Sequence, residues 1–210
     1  MTSTMVSSTP FCAKFRGLQL LFAALMLSAL ATAALAGSLA VEKAELRRAD
    51  NFYQPVADFN VTLTPVVEQA LTHGVALYFI GEFSLVRHRW YWLDEVVAQD
   101  EQTVKLSYNA LTRQYRITHG SLFQNFNNLD DALRTLGHQS FNQVHVTSLR
   151  SGAVYVASVR MRLDPTQLPK PLQINALVNT DWDLDSDWHH WEVNLTSSAA
   201  LAGYHFAEQR

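Results

Sequence analysis

Alternation of apolar and polar residues, the mark of strands, dominates the chain from residue 39 onward. Leu39, Val41 and Leu46 open a first strand, and Val56 to Leu63 form a second in which Val61 and Leu63 alternate with Thr62. A helix follows. Thr64 supplies an N-cap, Pro65 suits the first helical position, and Val66, Val67, Ala70 and Leu71 share one face. Gly74 ends that helix in the left-handed conformation. Val75 to Val97 is the most hydrophobic stretch beyond the N-terminal region. Its segment V-A-L-Y-F-I-G-E-F-S-L-V is apolar at both odd and even positions, which predicts a strand covered on both sides, with Gly81 marking a bulge or bend.

Thr103 to Tyr108 and Gln114 to Thr118 read as a hairpin joined around Asn109 to Thr112. A second helix spans Leu129 to Gly137. Asn128 caps it, Asp130 and Asp131 favour its positive end, and Leu129, Ala132, Leu133 and Leu136 form one apolar stripe. Gln143 to Leu149 and Val154 to Leu163 read as another hairpin around Ser151-Gly152, the second of these strands having one clean apolar face. The prolines of L-P-K-P-L-Q then predict an ordered extended connector. The expected class is α+β, a mainly antiparallel β sheet with two short helices packed on it, and a two-sheet sandwich is the variant this order also allows.

The N-terminus follows a different pattern. Lys14 and Arg16 precede an uncharged apolar run from Leu18 to Leu35, which closes on Ala34-Leu35-Ala36. This is the layout of a secretory signal peptide over residues 1–36, cleaved after Ala36. The run is nearly long enough to serve instead as an uncleaved anchor. The remainder reads as one globular domain over 37–196 and a weakly ordered tail over 197–210.

The single cysteine, Cys12, falls inside the signal, so the exported part has neither a disulfide framework nor a thiolate metal site. Export without disulfides fits a bacterial periplasm. The chain carries a formal charge of −3, and loss of Lys14 and Arg16 makes the exported part more acidic. That argues against nucleic acid or anionic lipid as the main partner.

Three blocks are distinctive together. They are Arg89-Trp90-Tyr91-Trp92 with Asp94-Glu95, then L-S-Y-N-A-L-T-R-Q-Y-R-I from Leu106, then L-P-K-P-L-Q-I-N-A-L from Leu168 with Asp181-Trp182 and Leu184-Asp185-Ser186. In these blocks the chain resembles the proteobacterial domain-of-unknown-function family 4390, over Leu39 to Val193. The resemblance implies an exported protein. Members are often encoded beside a membrane sensor kinase of the nitrogen-regulation type, which implies an accessory role in the envelope. It implies no activity and no catalytic residue.

Two groups of residues carry candidate chemistry. The stretch D-W-D-L-D-S-D-W-H-H-W-E, Asp181 to Glu192, approaches a calcium-loop pattern, with Asp181, Asp183, Asp185 and Glu192 in ligand places. Ser186 stands where that loop needs glycine, and Trp191, Val193 and Leu195 alternate like a strand where it needs a helix. The stretch is therefore expected to be a turn between β segments, anchored by Trp182, Leu184 and Trp188, with a weak calcium site as the alternative. His189 and His190, as strand neighbours, point to opposite faces and make a poor zinc pair. The second group is Arg87, Arg89, Trp90, Trp92 and Asp94. It reads as a protein-recognition surface, since Arg and Trp carry much of the energy of interfaces, or as cation–π packing that closes one end of the sheet. His88 with Asp94 is the acid–base option.

No nucleophile elbow, zinc-protease helix, phosphate-binding loop or dinucleotide fingerprint is present in the sequence. The sequence thus points to an exported periplasmic, non-enzymatic binding module without cofactor, working with an envelope protein such as a membrane sensor kinase. The alternatives are a small-ligand or lipid carrier and an unrecognised hydrolase.

Overall fold

The computed structural model of the chain describes residues 37–49, 51–89, 94–150 and 152–194. Residues 1–36 and 195–210, and those between Arg89 and Asp94, lie outside it. Ten strands are β1 (Ser38–Arg48), β2 (Phe52–Thr62), β3 (Leu77–Arg87), β4 (Glu95–Asn109), β5 (Gln114–His119), β6 (Leu122–Phe126), β7 (His138–Ser140), β8 (Val144–His145), β9 (Val154–Leu163) and β10 (His189–Asn194). Three helices are α1 (Pro65–Thr72), α2 (Leu129–Gly137) and α3 (Lys170–Val178). All pairings are antiparallel and make two sheets. One runs β1-β2-β7 with β8 also on β2; the other runs β10-β9-β3-β4-β5-β6. The fold is α+β and mainly antiparallel, as the sequence predicts.

A single apolar cluster joins the sheets. β3 contributes Leu77, Phe79, Phe83 and Leu85, and β9 contributes Tyr155, Ala157, Val159 and Met161; β2 brings Tyr53, Ala57, Phe59 and Val61 from the other sheet. These are alternate positions, so one face of each strand enters the core. Burying one such large side chain is worth about 1.5–3 kcal/mol. The other face of β3 is covered by side chains instead of a layer. Arg160 and Arg162 reach Glu82, and the Lys105 ammonium lies 5.6 Å from the Tyr78 ring centre. Long basic side chains lay their stems on apolar surface in this way.

The expected helices form with their expected caps. The Thr64 hydroxyl accepts from the Val67 N–H at 3.1 Å and donates to the Asp181 carbonyl at 3.0 Å, so the cap of α1 also holds the acidic stretch. The Asn128 side chain accepts from the Asp130 N–H at 2.8 Å. Gly74, at φ 92, ends α1 in the left-handed region.

Four expectations are corrected. L-P-K-P-L-Q is not an extended connector: Pro165–Gln167 form a 3-10 turn and Lys170–Val178 form α3, making three helices and not two. Proline is tolerated in a first helical turn, where no N–H is needed. The hairpin of Gln143–Leu149 with Val154–Leu163 does not form, because Val144–His145 pair with β2 and Val154–Leu163 with β3. β6 pairs with β5 and is an additional strand. Gly81 is not a bulge. The register shifts fall at Val41/Lys43 and Leu85/Val86, while Gly81 lies under Phe141 of the facing segment.

Glycine 137 has a different task. It ends α2 where the helix meets β2, and a Cβ there would overlap the Phe59 carbonyl oxygen. At Gly81 the same added carbon would rest 3.5 Å from Phe141, an ordinary contact. Gly137→Ala is expected to lower stability by about 1–3 kcal/mol through overpacking, whereas Gly81→Ala stays within about 1 kcal/mol. Urea unfolding of the two variants measures both, and equal losses would contradict the assignment.

Candidate functional site

Arg87 is the last residue of β3 and continues its inward row, so its guanidinium is buried. A buried charge needs a partner, and Glu95, opposite in the register, provides it. Arg87 and Arg89 both donate through Nη2 to Glu95 Oε2. Asp94 holds the other side: its Oδ1 is 2.9 Å from His88 Nδ1 and accepts from the Arg89 N–H at 3.3 Å. Both stems of the β3–β4 hairpin are thereby tied. Of the recognition surface read from the sequence, Arg87, Arg89 and Asp94 come together. Trp90 and Trp92 lie outside the described residues, as does any stacking of the arginines on them.

The acidic stretch runs beside β9. Leu184 accepts from the Leu163 N–H at 2.8 Å, and Ser186 donates its N–H to the Met161 carbonyl at 2.9 Å. The Ser186 hydroxyl accepts from the Met161 N–H at 2.9 Å. The residue that breaks the calcium pattern is thus, with Leu184, one of those that tie the segment to the sheet. Asp181 accepts from Asn179 Nδ2 at 3.0 Å, Asp185 from the Asp187 N–H at 3.0 Å, and Glu192 sits in β10 opposite Val156. Asp187, at φ 54, completes a turn. Among the described residues no three His, Asp or Glu side chains form a metal-holding group, so Asp181, Asp183, Asp185 and Glu192 do not converge. Trp182 and Leu184 are buried anchors, but Trp188 remains 40% exposed with the Arg160 guanidinium 4.6 Å from its ring centre. His189 stacks on Trp191 and His190 on Trp188, on alternate faces of the strand.

Sequence reasoning missed the ion group on the outer face of the second sheet. Arg160 Nε donates to Glu82 Oε2 at 2.7 Å, Arg162 Nη2 approaches Glu82 Oε1 at 3.4 Å, and Arg160 Nη1 lies 3.6 Å from Asp185 Oδ2. The signal was present: Glu82 is the one charge inside an apolar strand, and Arg160 and Arg162 are alternate residues of another. It also missed a surface groove of about 720 Å³ between β1, β2 and α2. His138 and Asp58 pair there at 2.5 Å, and the lining has neither serine nor cysteine.

Residues 36–192 match the family described as Domain of unknown function (DUF4390). The chain belongs to this family. No curated protein and no solved structure matches it. The DUF4390 match includes the tied hairpin and the whole acidic stretch to Glu192.

In this DUF4390 chain, Glu95→Ala leaves Arg87 buried without its partner. A loss of about 1–3 kcal/mol is expected, less than for a fully buried pair because Glu95 is half exposed. Asp94→Ala, at a surface pair, is expected to cost at most about 1 kcal/mol. Chemical denaturation of the two variants checks this. Calcium at millimolar concentration is expected to leave the melting temperature unchanged; a rise with free metal would restore the loop reading, since binding to the folded state must stabilise it.

Proposed function

We propose that this DUF4390 chain is an exported periplasmic module without chemistry of its own, which binds another protein of the cell envelope through the end of the β3–β4 hairpin. The observation behind this reading is the pair of tied stems. Glu95 holds Arg87 and Arg89, Asp94 holds His88 and the Arg89 backbone, and the residues carried between them in sequence are Trp90-Tyr91-Trp92-Leu93. Aromatic side chains on an ordered support make interface anchors at low entropic cost. Arg87 belongs to the support, while Arg89 and Asp94, which flank the aromatics in sequence, retain exposed surface. A membrane sensor kinase is the partner that the family resemblance favours.

Crosslinking in cells followed by purification is the test. One envelope protein is expected to be recovered with the wild-type chain and lost with Trp90→Ala/Trp92→Ala, whose circular dichroism stays unchanged. Recovery that ignores the double substitution would remove the hairpin end from the interface. Wild-type kinase output in a deletion strain would remove the kinase as partner. A carrier of small polar ligands has one observation in its favour, the groove beside α2; native mass spectrometry of chain purified from cells would show the added mass.

A further inference from the structure

A strand at the edge of a sheet shows unpaired N–H and C=O groups, and chains protect such edges with charge, proline or bulges. β1 is protected in this way. It carries Glu42, Lys43, Glu45, Arg47 and Arg48 and a bulge between Val41 and Lys43. β10, at one edge of the second sheet, carries His189, His190 and Glu192. β6, at the other edge, has no such residue of its own; the one charge beside it is Arg116 of β5, whose guanidinium lies 4.8 Å from the Phe123 ring centre and donates through Nε to Asn125 Oδ1 at 2.9 Å. From Gly120 to Asn128 the sequence is G-S-L-F-Q-N-F-N-N, with neither charge nor proline. Leu122 and Phe123 are 76% and 59% exposed.

The turn before β6 sets the phase of its backbone. Gly120 and Ser121 join His119 to Leu122, and Gly120 at φ 57 suits the first central position of a type II′ turn. A two-residue turn makes its flanking residues a hydrogen-bonded pair. The alternation of an antiparallel ladder then makes Ile117–Gln124 the next such pair. The backbone groups of Phe123 and Asn125 are therefore directed away from β5, toward the edge that no described strand covers.

We propose that β6 pairs with β6 of a second copy of this chain, antiparallel and centred on Gln124. In that register Phe123 of each copy lies opposite Asn125 of the other. The outward-directed groups of one strand then meet those of its equal, and Gln124, whose backbone is engaged with β5, faces Gln124. Leu122 lies opposite Phe126 on the core side. No charge meets a like charge anywhere along the pair, which an incoming charged strand would find no counterpart for. The contact is two-fold and self-complementary, the commonest form of oligomer interface, and it continues the second sheet from one copy into the next. It lies apart from the β3–β4 hairpin end and is independent of the function proposed for it.

Sedimentation equilibrium of the chain as purified from cells, across the micromolar range, tests the pairing. The mass is expected to rise toward twice that of one chain. Asn125→Pro removes an outward N–H and leaves the backbone bonds to β5 in place, losing only the bond that Arg116 Nε donates to Asn125 Oδ1, and Gln124→Lys sets two like charges face to face at the two-fold. Both are expected to remain at single-chain mass, with unchanged circular dichroism. In wild type the Phe123 and Asn125 amides are expected to exchange more slowly as concentration rises. A single-chain mass throughout overturns the proposal, as does a dimer that both substitutions leave intact. Protection of β6 only when a different protein is bound would also overturn it, and would give the edge to a foreign strand.

Discussion

Burial of the inward face of β3, with side chains laid across its half-buried outer face, is the constraint from which the architecture follows. Leu77, Phe79, Phe83 and Leu85 require an apolar layer, which the first sheet and α1 supply. Tyr78, Ile80 and Glu82 face the other way, where none of the described elements forms a layer over them, and Arg160, Arg162 and Lys105 lie across instead. A carboxylate in an apolar strand is costly alone. Glu82 is held there because two arginines from β9 reach it, and Trp188 in turn lies over Arg160. The acidic stretch is thus the outer flank of β9 and shares in covering β3.

The same row explains the hairpin end. Arg87 is the inward position that falls past the last apolar residue of β3, and a buried guanidinium there dictates an acid at Glu95. Order at the stems of the hairpin is therefore a consequence of core packing. The two recognition sites proposed for this domain, the hairpin end and the β6 edge, both use its margins and leave the filled centre alone.

Much of this was legible in the sequence. Thr64 and Asn128 announced their helices because caps are local chemistry, and the doubly apolar β3 announced a central strand. α3 was hidden because Pro169 and Pro171 read as breakers, although a first helical turn accepts proline. β7 was illegible for another reason: a strand of three residues exists only through pairing with distant β2, and β8, inside the predicted Gln143–Leu149 strand, likewise takes β2 as a partner that the sequence does not name. Gly137 showed as a helix end and Gly81 as a break in a strand, but only the fold reveals that Gly137 makes room for Phe59 while Gly81 lies under Phe141 where a Cβ would fit. Among the candidate site residues, the departure from the calcium pattern was readable at Ser186. Its bond to Met161 was not, because nothing in the sequence gives the register of an irregular segment against β9.

Amide hydrogen exchange of the chain at low concentration tests the central claim, a filled β3-centred core with recognition left to the margins, most directly. The account predicts that β3 and the adjoining β9 amides exchange last, through global unfolding, with Met161 among them, while β6 and α3 exchange early through local opening. Exchange of β3 as fast as β6 would contradict it.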